Sequence, residues 1–345
     1  MVPQGRGRNS LVRSALGAAT GAAAAVWQTG RRGPVAAAEK EREPMNSARY
    51  LLVDVFTGEP FGGNQLAVFI EGEQVPQALM QRIARELNLS ETTYVLPPED
   101  PDNLCRLRIF TPLEELPMAG HPTVGSAFAL AVEGRVTPPE TIRFEEGVGV
   151  VPVEVEGEAD RPSGAVMVQP LPRFGPRFDD AARIAAMLTL DEGDLEPGLP
   201  IEVVSCGLPF LYVPLASLAA VERARLRLDL WEELLAGFAS RHIYLFSRET
   251  LGEDATVHAR VFVPAAGVPE DPATGSASGP LGCYLVRHGL VAGGERVPIV
   301  CEQGYEIGRP SRIEVEISGD RETIREVRVG GGCVLIGEGR MRLPQ

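Results

Sequence analysis

Two glycine turns carry the side chains of this sequence that are best suited to chemistry. One of the chain's four histidines, His121, follows Gly120 at the start of an apolar segment. Asp271 precedes a second such turn, at Gly275 and Ser276. A helix that begins at a turn of this kind presents free backbone N–H groups and the positive end of its dipole. The two turns therefore indicate a site for a small anion such as a carboxylate.

Each of these side chains also has an ordinary structural explanation. His121 could be a helix-end residue, Asp271 a turn former beside Pro272, and Ser276 a helix cap. The clustering of functional residue types at both turns favours a site over three unrelated structural roles.

The turns belong to a sequence repeat that predicts two buried helices. Gly120 aligns with Gly275, and Gly134 aligns with Gly289. Each copy runs from its first glycine through about fourteen mostly small and apolar residues to a glycine at the expected helix end. A helix that is apolar nearly all round must be buried, and in a sheet-rich domain the sheet must wrap around it.

The rest of the chain predicts an α+β protein in which both halves are rich in strands. An amphipathic helix is expected over residues 75–88 with its end at Asn88, so that Glu91 lies at a helix-to-strand junction. Residues 170–176, rich in proline and glycine, are the expected linker. Strands are predicted over residues 50–56, 66–70, 91–96, 104–110, 141–144, 148–155, 165–168, 201–204, 210–213, 242–246, 256–263 and 313–317.

These patterns divide the chain into a disordered N-terminal extension over residues 1–48, a first domain over 49–172 and a second over 173–345. The C-terminal segment is expected to pack back on the first domain. The extension is rich in arginine and has no acid before residue 39, which fits an organellar transit peptide. The alternative is an upstream stretch that is disordered or not translated, since Met45 lies just before the first strand.

Composition narrows the class of partner to small molecules. The formal charge of −14 argues against nucleic acid or an anionic membrane as a partner. The sequence lacks a run of about eighteen apolar residues, the length that would predict a membrane span. Its five cysteines are scattered and lack metal-ligand spacing, which predicts reduced thiols, a cytoplasmic location and no metal.

Several longer motifs, in order along the chain, closely resemble the PhzF-like family of phenazine biosynthesis. The resemblance runs from about residue 50 to the C-terminus. The motifs are VDVFT at residues 53–57, GNQLAV at 63–68, LSETTY at 89–94, GHPT at 120–123, EDPATGSA at 270–277, EQG at 302–304 and GRPS at 308–311.

The resemblance implies a diaminopimelate-epimerase-like fold. Such a fold has two similar domains, each a curled, mostly antiparallel sheet around a central apolar helix, with the active site in the interdomain cleft. The implied activity is that of a cofactor-independent isomerase of the trans-2,3-dihydro-3-hydroxyanthranilate type. Such an enzyme moves a proton on a small carboxylate-bearing substrate, and the resemblance also implies a homodimer.

Residue by residue, the resemblance places the family's acid/base glutamate at Glu91, with His121 and Asp271 completing the catalytic set. Loss of water when the cleft closes would raise the pKa of Glu91 toward the working pH. Glu91 could otherwise be a solvated strand-end acid, and Asn64 a turn residue. The expected substrate-binding residues are Gly120, Gly275, Ser276 and Asn64.

Two other functions are compatible with this scaffold. A thiol-based racemase is disfavoured because neither glycine turn contains a cysteine, and Cys283 lies about two turns into the second helix. A binding or interaction protein without turnover is the other alternative. The combination of Glu91, His121, Asp271 and Ser276 argues against it, since a scaffold would not need all four.

Overall fold

The computed structural model describes residues 46–344, which form a sheet-rich mixture of strands and a few helices. The helices are α1 (Gln77–Leu87), α2 (Gly120–Val132), α3 (Ala181–Met187), α4 (Leu218–Arg223), α5 (Leu228–Leu235) and α6 (Gly275–Arg287). The strands are β1 (Ser47–Val55), β2 (Asn64–Phe69), β3 (Glu91–Leu96), β4 (Cys105–Phe110), β5 (Glu115–Leu116), β6 (Glu140–Glu146), β7 (Gly149–Glu158), β8 (Arg161–Gln169), β9 (Arg173–Arg177), β10 (Glu202–Ser205), β11 (Pro209–Pro214), β12 (Ile243–Ser247), β13 (Val257–Val263), β14 (Val268–Asp271), β15 (Gly294–Gln303), β16 (Ser311–Gly319) and β17 (Ile324–Arg342).

The strands of the first half close into a ring around α2. The order of pairing around the ring is β17, β1, β2, β3, β4, β6, β7, β8 and again β17. The pairs β2–β3 and β4–β6 are parallel, and the other pairs in the ring are antiparallel. Helix α2 packs against six strands of this ring, so the ring encloses it.

The second half repeats this arrangement around α6. Its strands pair in the order β9, β10, β11, β12, β13, β15, β16 and β17. The parallel pairs β11–β12 and β13–β15 occupy the places that β2–β3 and β4–β6 occupy in the first half. The segment from β10 to β17 therefore repeats the strand order and strand directions of the segment from β1 to β8.

The two central helices confirm the predicted repeat. Both have 13 residues, and they begin at the aligned glycines Gly120 and Gly275. Gly134 and Gly289 follow the two helices with φ of 67° and 71°, the left-handed conformation in which glycine commonly ends a helix. Small residues allow the close packing: a Cβ added at Gly125 would lie 2.6 Å from a side-chain carbon of Leu66.

Strand β17 belongs to both halves. Its residues 324–330 pair with β16, residues 327–332 pair with β8, and residues 333–342 pair with β1. The final strand of the second half therefore also closes the ring of the first half.

The structure differs from the sequence prediction at two boundaries. Residues 173–176, predicted as linker, belong to β9, which among the strands of residues 46–344 pairs only with β10. An edge strand tolerates the proline at position 176 because its outer side needs no N–H donor. Strand β1 begins at Ser47, two residues inside the predicted extension, because Ser47 and Ala48 pair with the end of β17. Residues 1–45 of the predicted extension lie outside the described residues.

The predicted amphipathic helix is confirmed as α1, and Asn88 ends it in the left-handed conformation with φ of 53°. No helix within residues 46–344 is long and apolar enough to cross a membrane.

Candidate active site

A cavity of about 220 Å³ lies beside the N-termini of α2 and α6. Its polar wall includes Glu91, Asp271, Thr274 and Ser276. The lining also contains the apolar residues Leu116, Leu208, Phe210, Val263 and Val268, and the carboxyl groups of Glu114 and Glu115. A small molecule with one anionic end and one apolar face fits such a lining.

Glu91 is the first residue of β3, and its side chain is only 16% exposed. Its Oε2 lies 3.3 Å from Nε2 of His121, the second residue of α2. The parallel pairing of β3 with β2, in which Glu91 lies opposite Leu66, sets the position of the carboxyl. The structure therefore brings together two side chains that are 30 positions apart in the sequence.

Burial shifts the pKa of both of these groups toward the neutral form. Burial raises the pKa of Glu91 well above its ordinary value, and the negative charge of Asp271 raises it further. Burial lowers the pKa of His121 to about 3, although a hydrogen bond with the Gln65 backbone opposes the shift. The imidazole of His121 is therefore neutral at pH 7, and Glu91 is a weaker acid than a carboxyl in water.

Asp271 also lines the cavity and accepts three side-chain hydrogen bonds. Its Oδ1 accepts from the amide of Asn64 at 2.8 Å and from the hydroxyl of Ser90 at 2.9 Å. Its Oδ2 accepts from the hydroxyl of Thr274 at 2.6 Å. Burial raises the pKa of Asp271, and these hydrogen bonds oppose the shift because donors stabilise the ionised form.

The N-termini of α2 and α6 meet at the two glycines. A Cβ added at Gly120 would lie 2.3 Å from the backbone nitrogen of Ser276, so the position admits no larger residue without movement. The N-cap residues, Ala119 and Thr274, make no side-chain capping bond. The first N–H groups of both helices, where partial positive charge is concentrated, are thus available beside the cavity.

The predicted residues have different places at the site. Glu91, Asp271 and Ser276 line the cavity, and Gly120 and Gly275 form the helix contact beside it. His121 lies against Glu91. Asn64 holds Asp271 and the carbonyl of Ala273 through its amide nitrogen, and its Oδ1 is buried without a partner.

Sequence reasoning missed several residues that hold the site together. Ser90 and Thr274 donate to Asp271, as described above. Gln303 donates to the carbonyl of Asp271 at 2.7 Å and accepts from the N–H of Thr274 at 3.1 Å, which fixes the loop before α6. His242 lines the cavity and packs against Phe210. The EQG motif at residues 302–304 was a signal for Gln303, but its contact could not be read from the motif.

The thiols do not form part of this site. All five cysteines fall within the described residues, and all are free and buried. Cys283 lies inside α6 and is completely buried. The cavity lining contains no thiol, so the geometry gives no support to a two-thiol racemase.

Comparisons with known proteins agree with this architecture. Residues 53–339 match the family described as phenazine biosynthesis-like protein. The trans-2,3-dihydro-3-hydroxyanthranilate isomerase of Pseudomonas aeruginosa is 39% identical over 295 residues, which cover 86% of this chain and 99% of that protein.

Solved structures extend the comparison to the fold. The Bacillus anthracis phenazine biosynthesis protein of the PhzF family has a TM-score of 0.78 at 28% identity, covering 87% of this chain and all of that one. A probable proline racemase of Agrobacterium radiobacter has a TM-score of 0.60 at 12% identity, covering 86% and 93% of the two chains. The second likeness concerns the fold alone, which is diaminopimelate-epimerase-like. The chain therefore belongs to the phenazine biosynthesis-like protein family and is an isomerase of the PhzF type.

Proposed function

We propose that this isomerase moves a proton between two carbons of a small cyclic carboxylate, with Glu91 as the acid and base. The observation that carries the proposal is the position of the Glu91 carboxyl on the cavity wall, between the neutral imidazole of His121 and the charge of Asp271. A carboxyl with a pKa raised toward the working pH can both accept and return a proton.

The proposed substrate class follows from the cavity and from the relatives. The N–H groups at Gly120 and Gly275, with the hydroxyl of Ser276, would bind the substrate carboxylate. The apolar residues of the lining would cover the face of a ring. Trans-2,3-dihydro-3-hydroxyanthranilate, named in the relative from Pseudomonas aeruginosa, is the first compound to test.

The proton is conserved through the cycle. A C–H bond of the substrate breaks, and the proton passes to a Glu91 oxygen while the electron pair remains in the conjugated system of the substrate. Glu91 then returns the proton to a different carbon, which regenerates the enzyme. His121 and Asp271 would orient the polar groups of the substrate and keep their protonation states fixed.

The proposal extends to the organisation of the chain. Residues 49–172 and 173–345 would act as two domains that close over the substrate and exclude water from Glu91. The active form would be a homodimer, and its location would be the cytoplasm, where the five free thiols remain reduced. Light scattering in solution tests the dimer, and a mass of one chain would contradict it.

The decisive experiment replaces Glu91 with glutamine, which keeps the shape of the side chain but removes the proton transfer. Glu91→Gln should lower kcat by about 10²–10⁴-fold without lowering the melting temperature. Whenever the proton on Glu91 exchanges with solvent before its return, reaction of the wild type in deuterated water should place deuterium at the reprotonated carbon, and Glu91→Gln should lack that label. Glu86→Gln, an exposed carboxyl on α1, is the matched control and should keep wild-type kcat.

Two results would overturn the proposal. A Glu91→Gln enzyme that turns the substrate over at the wild-type rate would show that Glu91 carries no proton. A wild-type protein that binds cyclic carboxylates of this class and converts none of them would be a binding protein on the same scaffold.

A further inference from the structure

A second buried carboxyl, that of Glu146, contacts the first turn of α2 through Thr123. Glu146 ends β6 and is 8% exposed. Its Oε1 lies 2.5 Å from the hydroxyl oxygen of Thr123, and that hydroxyl oxygen lies 2.7 Å from the carbonyl oxygen of Ala119. Three oxygen atoms thus form a short chain that ends at the residue before Gly120.

Counting hydrogens fixes the protonation state of this chain. A threonine hydroxyl has one hydrogen, and a carbonyl oxygen has none. If Glu146 were ionised, one of the two short contacts would join two acceptors with no hydrogen between them. Both contacts are hydrogen bonds only when Glu146 carries a proton and donates to Thr123, which in turn donates to Ala119.

The surroundings of Glu146 favour the same state. Burial raises the pKa of Glu146 to about 8, and only a Thr123 hydroxyl that donated to the ionised carboxylate would oppose the shift. Its Oε2 is buried and has no hydrogen-bond partner. The titratable groups that line the same pocket as Glu146 are Glu99, Asp100, Arg106, Arg108, Glu115 and Glu145. Burial is the cause that raises the pKa of Glu146.

The end of this chain lies at the candidate active site. Ala119 is both the N-cap residue of α2 and part of the cavity wall. The bond from Thr123 holds the Ala119 carbonyl and thereby the peptide unit that presents the N–H of Gly120. Ionisation of Glu146 would take the hydrogen of Thr123 away from Ala119. It would also place a negative charge beside the N-terminus of α2, and that charge would oppose the attraction of this helix end for the substrate carboxylate.

We propose that Glu146, in its protonated form, is a positioning residue that holds the first turn of α2 ready for the substrate carboxylate. The proposal rests on the proposed function in one respect, the binding of a carboxylate at this helix end. Glu146 does not touch the substrate and acts through Thr123 and Ala119.

The kinetic test compares the pH dependence of KM in the wild type and in Glu146→Gln. In the wild type, KM should rise about two- to fivefold between pH 7 and pH 9, the range that a charge at a helix N-terminus produces, while kcat changes little. Glu146→Gln should show no such rise, because its amide donates to Thr123 at every pH. Glu145→Gln, at the adjacent and more exposed carboxyl, should keep the wild-type rise.

A test without substrate separates this proposal from the proposed function. Nuclear magnetic resonance of protein with ¹³C-labelled glutamate carboxyls should show a group that titrates near pH 8 and is missing in Glu146→Gln. Thr123→Val should shift the same resonance, which identifies the group even if Glu146→Gln does not fold. Titration of Glu146 near its ordinary pKa, or a KM of Glu146→Gln that rises with pH as in the wild type, would overturn the proposal.

Discussion

The charge of Asp271 depends on its three donors, and two of them come from the other half of the chain. Asn64 begins β2 and Ser90 directly precedes β3, and both strands belong to the first half. Asp271 ends β14 in the second half. Each bond to a buried carboxylate stabilises its ionised form. The same charge raises the pKa of Glu91, so these donors act indirectly on the proposed acid/base.

We predict that Ser90→Ala makes the enzyme more sensitive to acid. Loss of one donor raises the pKa of Asp271 further, so the acid limb of the profile of kcat/KM against pH should move to higher pH. The rate below that limb should fall by about tenfold, as expected for one hydrogen bond to a charged group. Ser90→Thr keeps the hydroxyl and should restore the wild-type profile; an unshifted acid limb in Ser90→Ala would contradict the prediction.

Residue types in the sequence indicate the proposed acid and base groups but not the residues that contact them. His121 and Asp271 stand out because they accompany glycine turns, and Glu91 follows from the family motif. Ser90, Gln303 and Glu146 resemble ordinary polar residues until their partners are known. Their roles arise from contacts across 181, 32 and 23 sequence positions, respectively, which no local pattern reveals.

The meeting of α2 and α6 makes Gly120 the most sensitive position at the helix ends. We predict that Gly120→Ala separates the two N-termini, because the added methyl group would overlap the backbone at Ser276. Overpacking of this kind costs about 1–3 kcal/mol of unfolding free energy, and KM should rise because the N–H groups no longer converge.

Thermal unfolding and steady-state kinetics measure these two effects. Gly237→Ala is the matched control, since an added Cβ there meets no atom within 4 Å. Equal melting temperatures and equal KM values for Gly120→Ala and the control would show that the helix ends tolerate separation.

Periodicity predicts α1, α2, α6 and most strands, but it misses α3, α4 and α5 and fails for strands interrupted by glycine or proline. The two apolar helices, α2 and α6, are predicted because a glycine stands at each end of each apolar segment. Strand β9 contains Gly175 and Pro176, and β17 contains three consecutive glycines from Gly330 to Gly332. Such residues indicate turns in a local pattern. In the folded chain, Gly164 and Gly331 instead allow β8 and β17 to approach, since a Cβ at Gly164 would lie 2.2 Å from the Gly331 carbonyl.

For the chain as a whole, we predict that residues before Met45 are dispensable for the stability of the described fold. A protein that begins at Met45 retains the whole of β1, which starts at Ser47 and pairs along its length with β17. Its melting temperature should equal that of the full chain. A substantially lower value would mean that the removed residues contribute to the folded state.

The fold class and the duplication were predictable because they depend on residue patterns repeated along the chain. The path of the C-terminal strand was predicted only as a return to the first half. Its actual course depends on register: residues 333–342 lie opposite β1 with a shift in register between Leu52 and Val53. Such pairing joins the two ends of the sequence and leaves no local signature.

The shared strand has a consequence for synthesis on the ribosome. The first half is translated early, but β1 and β8 both pair with β17, which ends at Arg342. Neither pairing can form before β17 has been synthesised. Until that strand emerges, the nascent first half has two strand edges without partners, and such edges pair readily with other chains. Folding of the first half should therefore be completed only after β17 has emerged, and chains that stop before residue 324 should require chaperones or aggregate.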